Sequence, residues 1–147
     1  LGNLENVTGS TYADSDEKRG WYINLAGQGE KVLAEPVVFG GVAYFTSYIP
    51  TVGGDVCQQS LGTAHLYALG YLTAAPATGT ESRRIQVGYG IPTAPIVSFR
   101  PGGAAADLYV TVSAATYTST KTVKTPIAPP LPSNRTNILY WHDRRVQ

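Results

Sequence analysis

The feature that most constrains the fold is an internal repeat with a period of about 60 residues. Three short segments recur in the same order along the chain. The pairs are Ile23–Leu25 with Ile85–Val87, Glu35–Val38 with Ala94–Val97, and Tyr44–Thr46 with Tyr109–Thr111. Repeats of this length, built from short strands, are typical of β-propeller blades, because one blade cannot bury its apolar face without its neighbours. The order of the three pairs therefore favours a propeller.

Helical periodicity is absent from the sequence, because Gly, Pro or β-branched residues interrupt every window of about a dozen residues. Alternation of apolar and polar residues instead predicts eight or nine short strands. The predicted strands include Trp21–Leu25, Val42–Ile49 after a Gly40-Gly41 turn, His65–Leu72, Arg84–Val87, Ala94–Ser98, Leu108–Val112, Tyr117–Val123 and Ile138–Trp141. We therefore predict an all-β fold with about two four-stranded blades plus flanking strands, the first blade over about 21–87 and the second over about 88–142.

Two blades do not close a propeller, since closed rings need about four to eight. We therefore expect another chain or segment to complete the propeller to which residues 1–147 contribute. The alternative is a single β-sandwich of eight or nine strands, which the composition permits equally well and which would need no partner.

Charge and hydropathy exclude two classes of partner. Eleven Lys and Arg against ten Asp and Glu give a net charge of +1, and no basic run is longer than two residues, so we expect no nucleic-acid partner. No apolar run approaches the ~18 residues that would span a bilayer. The abundance of Thr, Val, Gly and Tyr favours an extracellular or periplasmic β protein.

The chemistry-bearing residues predict no catalytic, cofactor-binding or metal site. His65 falls in a strand pattern, His142 lies in a polar tail, and no Gly-x-Ser-x-Gly nucleophile motif is present. Asp14, Asp16 and Glu17 form the one acidic cluster, which begins like a calcium loop but lacks the glycine and the distal glutamate. A solvated turn is the preferred interpretation, and a calcium site finished by another chain is the alternative.

The remaining motifs have structural interpretations. Gly27–Gly29 and Gly88–Gly90 are predicted to be turns rather than a dinucleotide fingerprint. Trp21 and Trp141 are predicted to pack in the core or between blades, and the proline-rich stretch 124–133 to run extended outside the middle of a sheet. The single cysteine, Cys57, has no partner in the chain and lies in a polar, glycine-rich segment, which favours a disulfide to a cysteine outside this chain.

Several segments resemble a known family, in the same order as they occur there. They are Lys18–Leu25, Gly29–Pro36, Gly40–Pro50, Cys57 followed by Leu66–Leu69, Gly88–Val97 and Ile138–Trp141. Together they resemble the last blades of the C-terminal β-propeller domain of the PilC/PilY-type type IV pilus tip-associated proteins. The resemblance covers most of the chain, and its run from Gly20-Trp21 to Tyr44–Ser47 is fairly specific.

The resemblance implies a non-enzymatic protein that is exported to the cell surface and located at the pilus tip. Such proteins support pilus assembly, counter retraction and mediate adhesion to host or abiotic surfaces, with pilins or minor pilins as partners. The family's calcium loop, of Asp-x-Asp-x-Asn type, lies upstream of these blades and has no match here, so no cofactor is assigned to this chain and calcium is expected only in the missing part of the domain. Cys57 matches the family's cysteine-containing loop, whose partner does not lie within these residues.

Two other functions share the propeller fold. One is a fragment of a quinoprotein-like dehydrogenase, in which quinone and calcium lie on the propeller axis, although the chain has no matching acid-rich axial loop. The other is a propeller scaffold for outer-membrane assembly. For the adhesive function, we expect the loops Tyr48–Ser60 and Ala74–Ser82 to carry the activity, because propeller strands are committed to packing.

Overall fold

The computed structural model describes residues 2–13, 17–51, 61–99, 106–113 and 120–127. Within them the chain is all-β, as predicted, with ten strands and no helix. The strands are β1 (Glu5–Asn6), β2 (Trp21–Tyr22), β3 (Lys31–Val32), β4 (Val37–Phe39), β5 (Val42–Ile49), β6 (Thr63–Gly70), β7 (Arg84–Tyr89), β8 (Ile96–Phe99), β9 (Ala106–Ser113) and β10 (Thr120–Ile127). β1 and β2 form a small parallel pair.

The other eight strands form one antiparallel sheet that curls into a half-barrel. Its order is β10-β9-β7-β6-β5-β3, with β4 also paired to β5 and β8 also paired to β9. β6 pairs with every residue along one edge of β5. The opposite edge of β5 is therefore shared by β3 and β4. In the same way, β7 and β8 share the edge of β9 that β10 leaves open.

The β4–β5 hairpin shows how local sequence sets the register. Phe39 pairs with Val42 across a two-residue turn in which Gly40 and Gly41 have φ of 58° and 80°. Positive φ at both positions is the requirement of the tight turns whose twist matches that of antiparallel strands, and glycine adopts it without a steric penalty. The predicted turn and the predicted strand Val42–Ile49 are both confirmed.

The main core lies on the inner face of the curled sheet. Its buried side chains come from β5, β6, β7 and β9, namely Val42, Tyr44, Ala64, Leu66, Ala68, Val87, Ala106, Leu108, Val110 and Val112. The curl also brings the inner face of β5 close to the segment that precedes β8, because the Thr46 hydroxyl donates to the Thr93 carbonyl at 2.9 Å. Burial of this face supplies the main hydrophobic stabilisation of the sheet.

Gly88, on β7, packs directly against a buried side chain of β9 and leaves no room for a side chain of its own. A Cβ at Gly88 would lie 2.5 Å from Cγ2 of Val112, whose side chain is buried. We expect Gly88→Ala to lower the free energy of unfolding by about 1–3 kcal/mol, because the added methyl group overpacks the junction of β7 and β9. Urea denaturation measures the loss. Gly9→Ala is the matched control, since no atom lies within 4 Å of a Cβ at Gly9, and equal midpoints for the two variants would contradict the prediction.

The N-terminal segment forms a second, smaller core with the loop between β6 and β7. Val7 and Tyr12 are buried there against Ala74, with Trp21 and Ile23 packed beside them. The segment is also tied by hydrogen bonds, from the Tyr12 amide to the Thr73 carbonyl at 2.8 Å and from the Trp21 indole to the Tyr71 carbonyl at 3.0 Å. The predicted packing role of Trp21 is therefore confirmed.

Two predicted strands end earlier than the sequence pattern suggests. Trp21–Leu25 is a strand only over Trp21–Tyr22, because β2 pairs only with the two-residue β1. His65–Leu72 ends at Gly70, where the chain turns and the Ala74 amide donates to the Gly70 carbonyl. The predicted strand Ile138–Trp141 lies outside the described residues.

Apart from β2, the described strands of the two predicted blades belong to one continuous sheet, and the boundary predicted at about 87 falls inside β7. One part of the sequence repeat is visible in the structure, in the strand pairs β4–β5 and β8–β9. Val37 pairs with Tyr44 in β4–β5, and Ile96 pairs with Tyr109 in β8–β9, so equivalent residues occupy equivalent positions in two hairpins. Ile23–Leu25, in contrast, lies outside any strand while its counterpart Ile85–Val87 lies in β7. Blade identity stays a prediction.

Candidate functional site

A buried carboxylate, that of Glu30, lies on the outer face of the sheet. The turn Gly27–Glu30 brings it there: the Glu30 amide donates to the Gly27 carbonyl at 3.1 Å, and Gly29 has a φ of 70° that favours glycine. The Glu30 side chain has no exposed surface. A carboxylate that is removed from water in this way needs hydrogen-bond donors from the protein to replace the water.

Four groups donate to Glu30. The Ser47 hydroxyl and the Tyr67 hydroxyl donate to Oε1 at 2.5 Å and 3.0 Å. The Gly27 amide and the Arg84 guanidinium donate to Oε2 at 2.7 Å and 3.0 Å. Both oxygens therefore have two donors, and the Arg84 contact is also an ion pair.

The alternation of side chains along three neighbouring strands assembles these donors. Tyr67 on β6 is directly opposite both Phe45 on β5 and Arg84 on β7, so the three side chains share one face. The rings of Phe45 and Tyr67 stack with centroids 4.7 Å apart and planes 6° from parallel. Ser47 lies on the same face two residues beyond Phe45.

These contacts shift the pKa values in opposite directions. Burial raises the pKa of Glu30, but the hydrogen bonds from Ser47, the Gly27 amide and Tyr67, together with the charge of Arg84, outweigh it and leave the pKa below its ordinary value. Burial and the hydrogen bond to Glu30 raise the pKa of Tyr67. At neutral pH the cluster is therefore an ionised carboxylate held by neutral hydroxyls and one cation.

His65, on β6, is buried on the same face opposite Ser47, and its Nδ1 has no hydrogen-bond partner among the described residues. Burial and the nearby charge of Arg84 lower the pKa of His65, and Glu30 only partly offsets them. The side chain is therefore a neutral imidazole at neutral pH, and it lies in a strand, as the sequence pattern predicted.

We expect acid to destabilise the fold in two stages. Because the folded-state pKa of His65 lies below its ordinary value of 6.5, the unfolded chain binds more protons, and stability present above pH 6.5 is lost as the pH falls through the folded-state pKa. The contribution of Glu30 is present above pH 4.5 and is lost on further acidification. Urea midpoints between pH 7.5 and pH 5 measure the first stage, and His65→Gln should flatten it. An unchanged pH slope in that variant would contradict the prediction.

Beside this cluster, Arg83 joins the two walls of a surface cleft. Its guanidinium donates to the carbonyls of Val7 at 2.7 Å and Thr8 at 2.5 Å and also to that of Ser10, all on the N-terminal segment. It donates as well to the Ala74 carbonyl, on the β6–β7 loop, at 3.0 Å. One side chain therefore satisfies four carbonyls and fixes the loop against the N-terminal segment.

The cleft has a volume of about 440 Å³. Its N-terminal wall consists of residues 8–11 with Ile23, Asn24 and Ala26, and its opposite wall of Pro76 and residues 81–84, with Tyr67 also lining it. A volume of this size accommodates a small ligand. The cleft is the candidate binding site of the described chain.

The sequence did not predict Glu30, Arg83 or Arg84 as important residues. In the sequence Arg83-Arg84 is only a two-residue basic pair, although the alternation predicted over Arg84–Val87 assigns Arg84 to the same face as Gln86. Gly29 and Gly90 lie in turns with positive φ, as predicted for the Gly-x-Gly motifs, whereas Gly88 lies within β7. Asp14, Asp16, Cys57, Trp141 and His142 lie outside the described residues.

Among the residues with described positions, no group of three or more His, Cys, Asp or Glu side chains could hold a metal ion. The same part of the chain contains no helix of the length and hydropathy needed to cross a membrane. No protein-family model matches the chain, and no curated protein or solved structure matches it significantly.

Proposed function

We propose that this chain is a non-enzymatic module of a type IV pilus tip protein of the PilC/PilY type, acting outside the cell in pilus assembly and surface adhesion. The observation that carries the proposal is that the segments resembling the family supply framework contacts of the structure. Trp21, Glu30 and the Gly40-Gly41 turn with β5, which lie in the three N-terminal segments of the resemblance, hold the N-terminal segment and the sheet together. A resemblance that is concentrated in framework residues favours a scaffold protein, whose loops carry the function, and argues against an enzyme.

The state of Glu30 supports the same proposal. A general acid or base must be reachable by its substrate, and Glu30 is enclosed, ionised and already bonded to four donors. Such a carboxylate stabilises a fold but does not transfer protons to a ligand. The most chemically distinctive cluster of the described residues is therefore structural.

Exposed apolar side chains support a companion segment that completes the domain. Val38 and Ile96 are 64% and 63% exposed, and Leu72 and Ile91 are also exposed. Large apolar side chains left open in this way suit a partner surface. In this proposal the rest of the propeller covers them, calcium binds only in that part, and Cys57 forms a disulfide with it; pilins or minor pilins and a host or abiotic surface are the further partners.

Shortening the β5–β6 connection tests the adhesive function in piliated cells. We expect deletion of residues 53–59 from the full-length protein to reduce surface attachment several-fold, because multivalent adhesion amplifies the loss of a weak contact. The deletion spares Ile49 and Thr63, the paired residues that end β5 and begin β6. Pilus number and protein level serve as controls, and undiminished attachment with normal pili would refute an adhesive role for this connection.

A further inference from the structure

The cleft between the N-terminal segment and the β6–β7 loop presents polar groups that the fold does not use. Ser10, Thr11, Asn24 and Glu81 line it and are exposed, and within the described residues their side chains make no hydrogen bond to the rest of the chain. The two hydroxyls and the amide can both donate and accept hydrogen bonds, and the carboxylate accepts them. They suit a ligand that carries hydroxyl groups.

The charges of the cleft argue against an anionic ligand. Arg83 is committed to four backbone carbonyls, and Arg84 is paired with Glu30. Glu81 contributes a negative charge to the lining. A phosphate, a sulfate or an acidic sugar would therefore meet a carboxylate and no free guanidinium, whereas a neutral ligand would meet no like charge.

The cleft also has an apolar part and fixed walls. Ile23, Ala26 and Pro76 line it together with the polar groups, and they provide a surface for the C–H face of a sugar ring. The Arg83 hydrogen bonds and the bond from the Tyr12 amide to the Thr73 carbonyl hold the two walls in place before any ligand arrives. A preformed site of this kind spends little free energy on ordering when it binds.

From this combination we propose that the cleft binds a neutral saccharide, one or two sugar units long, through Asn24, Glu81, Ser10 and Thr11. The inference rests on the proposed adhesive function for its biological setting and gives that function a ligand class. The binding step itself concerns only the cleft, which is distant in sequence from the connection removed in the attachment experiment.

Saturation-transfer NMR on the full 147-residue chain tests the proposal. The probes are a panel of neutral oligosaccharides containing glucose, galactose and N-acetylglucosamine, with sialyllactose as an acidic probe and a lysine-containing tripeptide as a peptide probe. We expect at least one neutral oligosaccharide to bind. Asn24→Ala and Glu81→Ala should each weaken that binding about tenfold, as expected for the loss of a strong hydrogen bond.

Matched controls separate a binding role from a structural one. Gln86→Ala and Glu35→Ala remove an exposed amide and an exposed carboxylate that do not line the cleft, and neither should change the affinity. Because Asn24 and Glu81 make no side-chain hydrogen bond to the described residues, their variants should keep the unfolding midpoint of the parent protein. Absence of binding to the whole neutral panel, preference for sialyllactose or the peptide, or undiminished binding in both cleft variants would each overturn the proposal. Loss of attachment on shortening the 53–59 connection would still stand in any of these cases.

Discussion

Replacing Glu30 by alanine is expected to lower the free energy of unfolding by about 3 kcal/mol, the lower end of the range for breaking a buried ion pair. The variant leaves the Ser47 and Tyr67 hydroxyls and the Gly27 amide without their acceptor. The lower end applies because Arg84 keeps 31% of its side chain exposed and can return its charge to water. Urea denaturation at pH 7 measures the loss.

Two further variants show whether the loss of stability comes from removing the carboxylate oxygens of Glu30, which accept the hydrogen bonds. Glu35→Ala removes an exposed carboxylate from the same segment and should change stability by less than about 0.5 kcal/mol. Glu30→Gln keeps one oxygen for Ser47 and Tyr67 but turns its NH₂ group toward the Gly27 amide and Arg84, so it should recover only part of the loss. A Glu30→Ala protein as stable as Glu35→Ala would show that the cluster contributes nothing to folding.

Replacing Arg83 by alanine is expected to cost about 2 kcal/mol or more, because several carbonyls lose a charge-assisted donor. The effect should be local as well as global. Hydrogen exchange at the Tyr12 and Ala74 amides should accelerate more than exchange in β5 and β6, since Arg83 joins the N-terminal segment to the β6–β7 loop. Hydrogen–deuterium exchange with mass spectrometry measures both regions.

The controls for Arg83 use the geometry of its guanidinium. Arg83→Lys should restore little, because one ammonium group cannot reach carbonyls on both walls of the cleft in the way a planar fork does. Arg19→Ala removes an exposed arginine from the N-terminal segment and should leave exchange near the parent rates. If hydrogen exchange in Arg83→Ala accelerated equally across all strands, the prediction that Arg83 stabilises only the contact between the N-terminal segment and the β6–β7 loop would be wrong.

Strands and turns that depend on residues close together in sequence were predicted well, whereas contacts between residues far apart in sequence were not predicted. Val42–Ile49 was predicted at both ends, because a Gly-Gly turn and a run of aromatic and β-branched residues are local signals. Pro126 lies in β10, the last strand of the described sheet, as the lack of an amide donor requires. The all-β class follows from the same local signals.

The Glu30 cluster could not be predicted in this way. Glu30 is 17, 37 and 54 residues from Ser47, Tyr67 and Arg84, and Arg83 is 73 to 76 residues from the N-terminal carbonyls that it binds. No periodicity within a short window connects such residues. Their meeting depends on how the turn Gly27–Glu30 and the N-terminal segment fold onto the sheet, which the sequence pattern does not specify.

The divided outer edge of β5 has a consequence for aggregation. An uninterrupted edge strand would offer a row of backbone groups on which copies of the chain could polymerise. Here that edge is covered by β3 and β4, of two and three residues, with Pro36 between them. An incoming strand would find only a short run of partners before it met a residue that cannot donate, and exposed Lys31 and Glu35 would place charges beside it. Fibre growth along this edge is therefore disfavoured, and any chain that joins the half-barrel there must do so through side-chain packing.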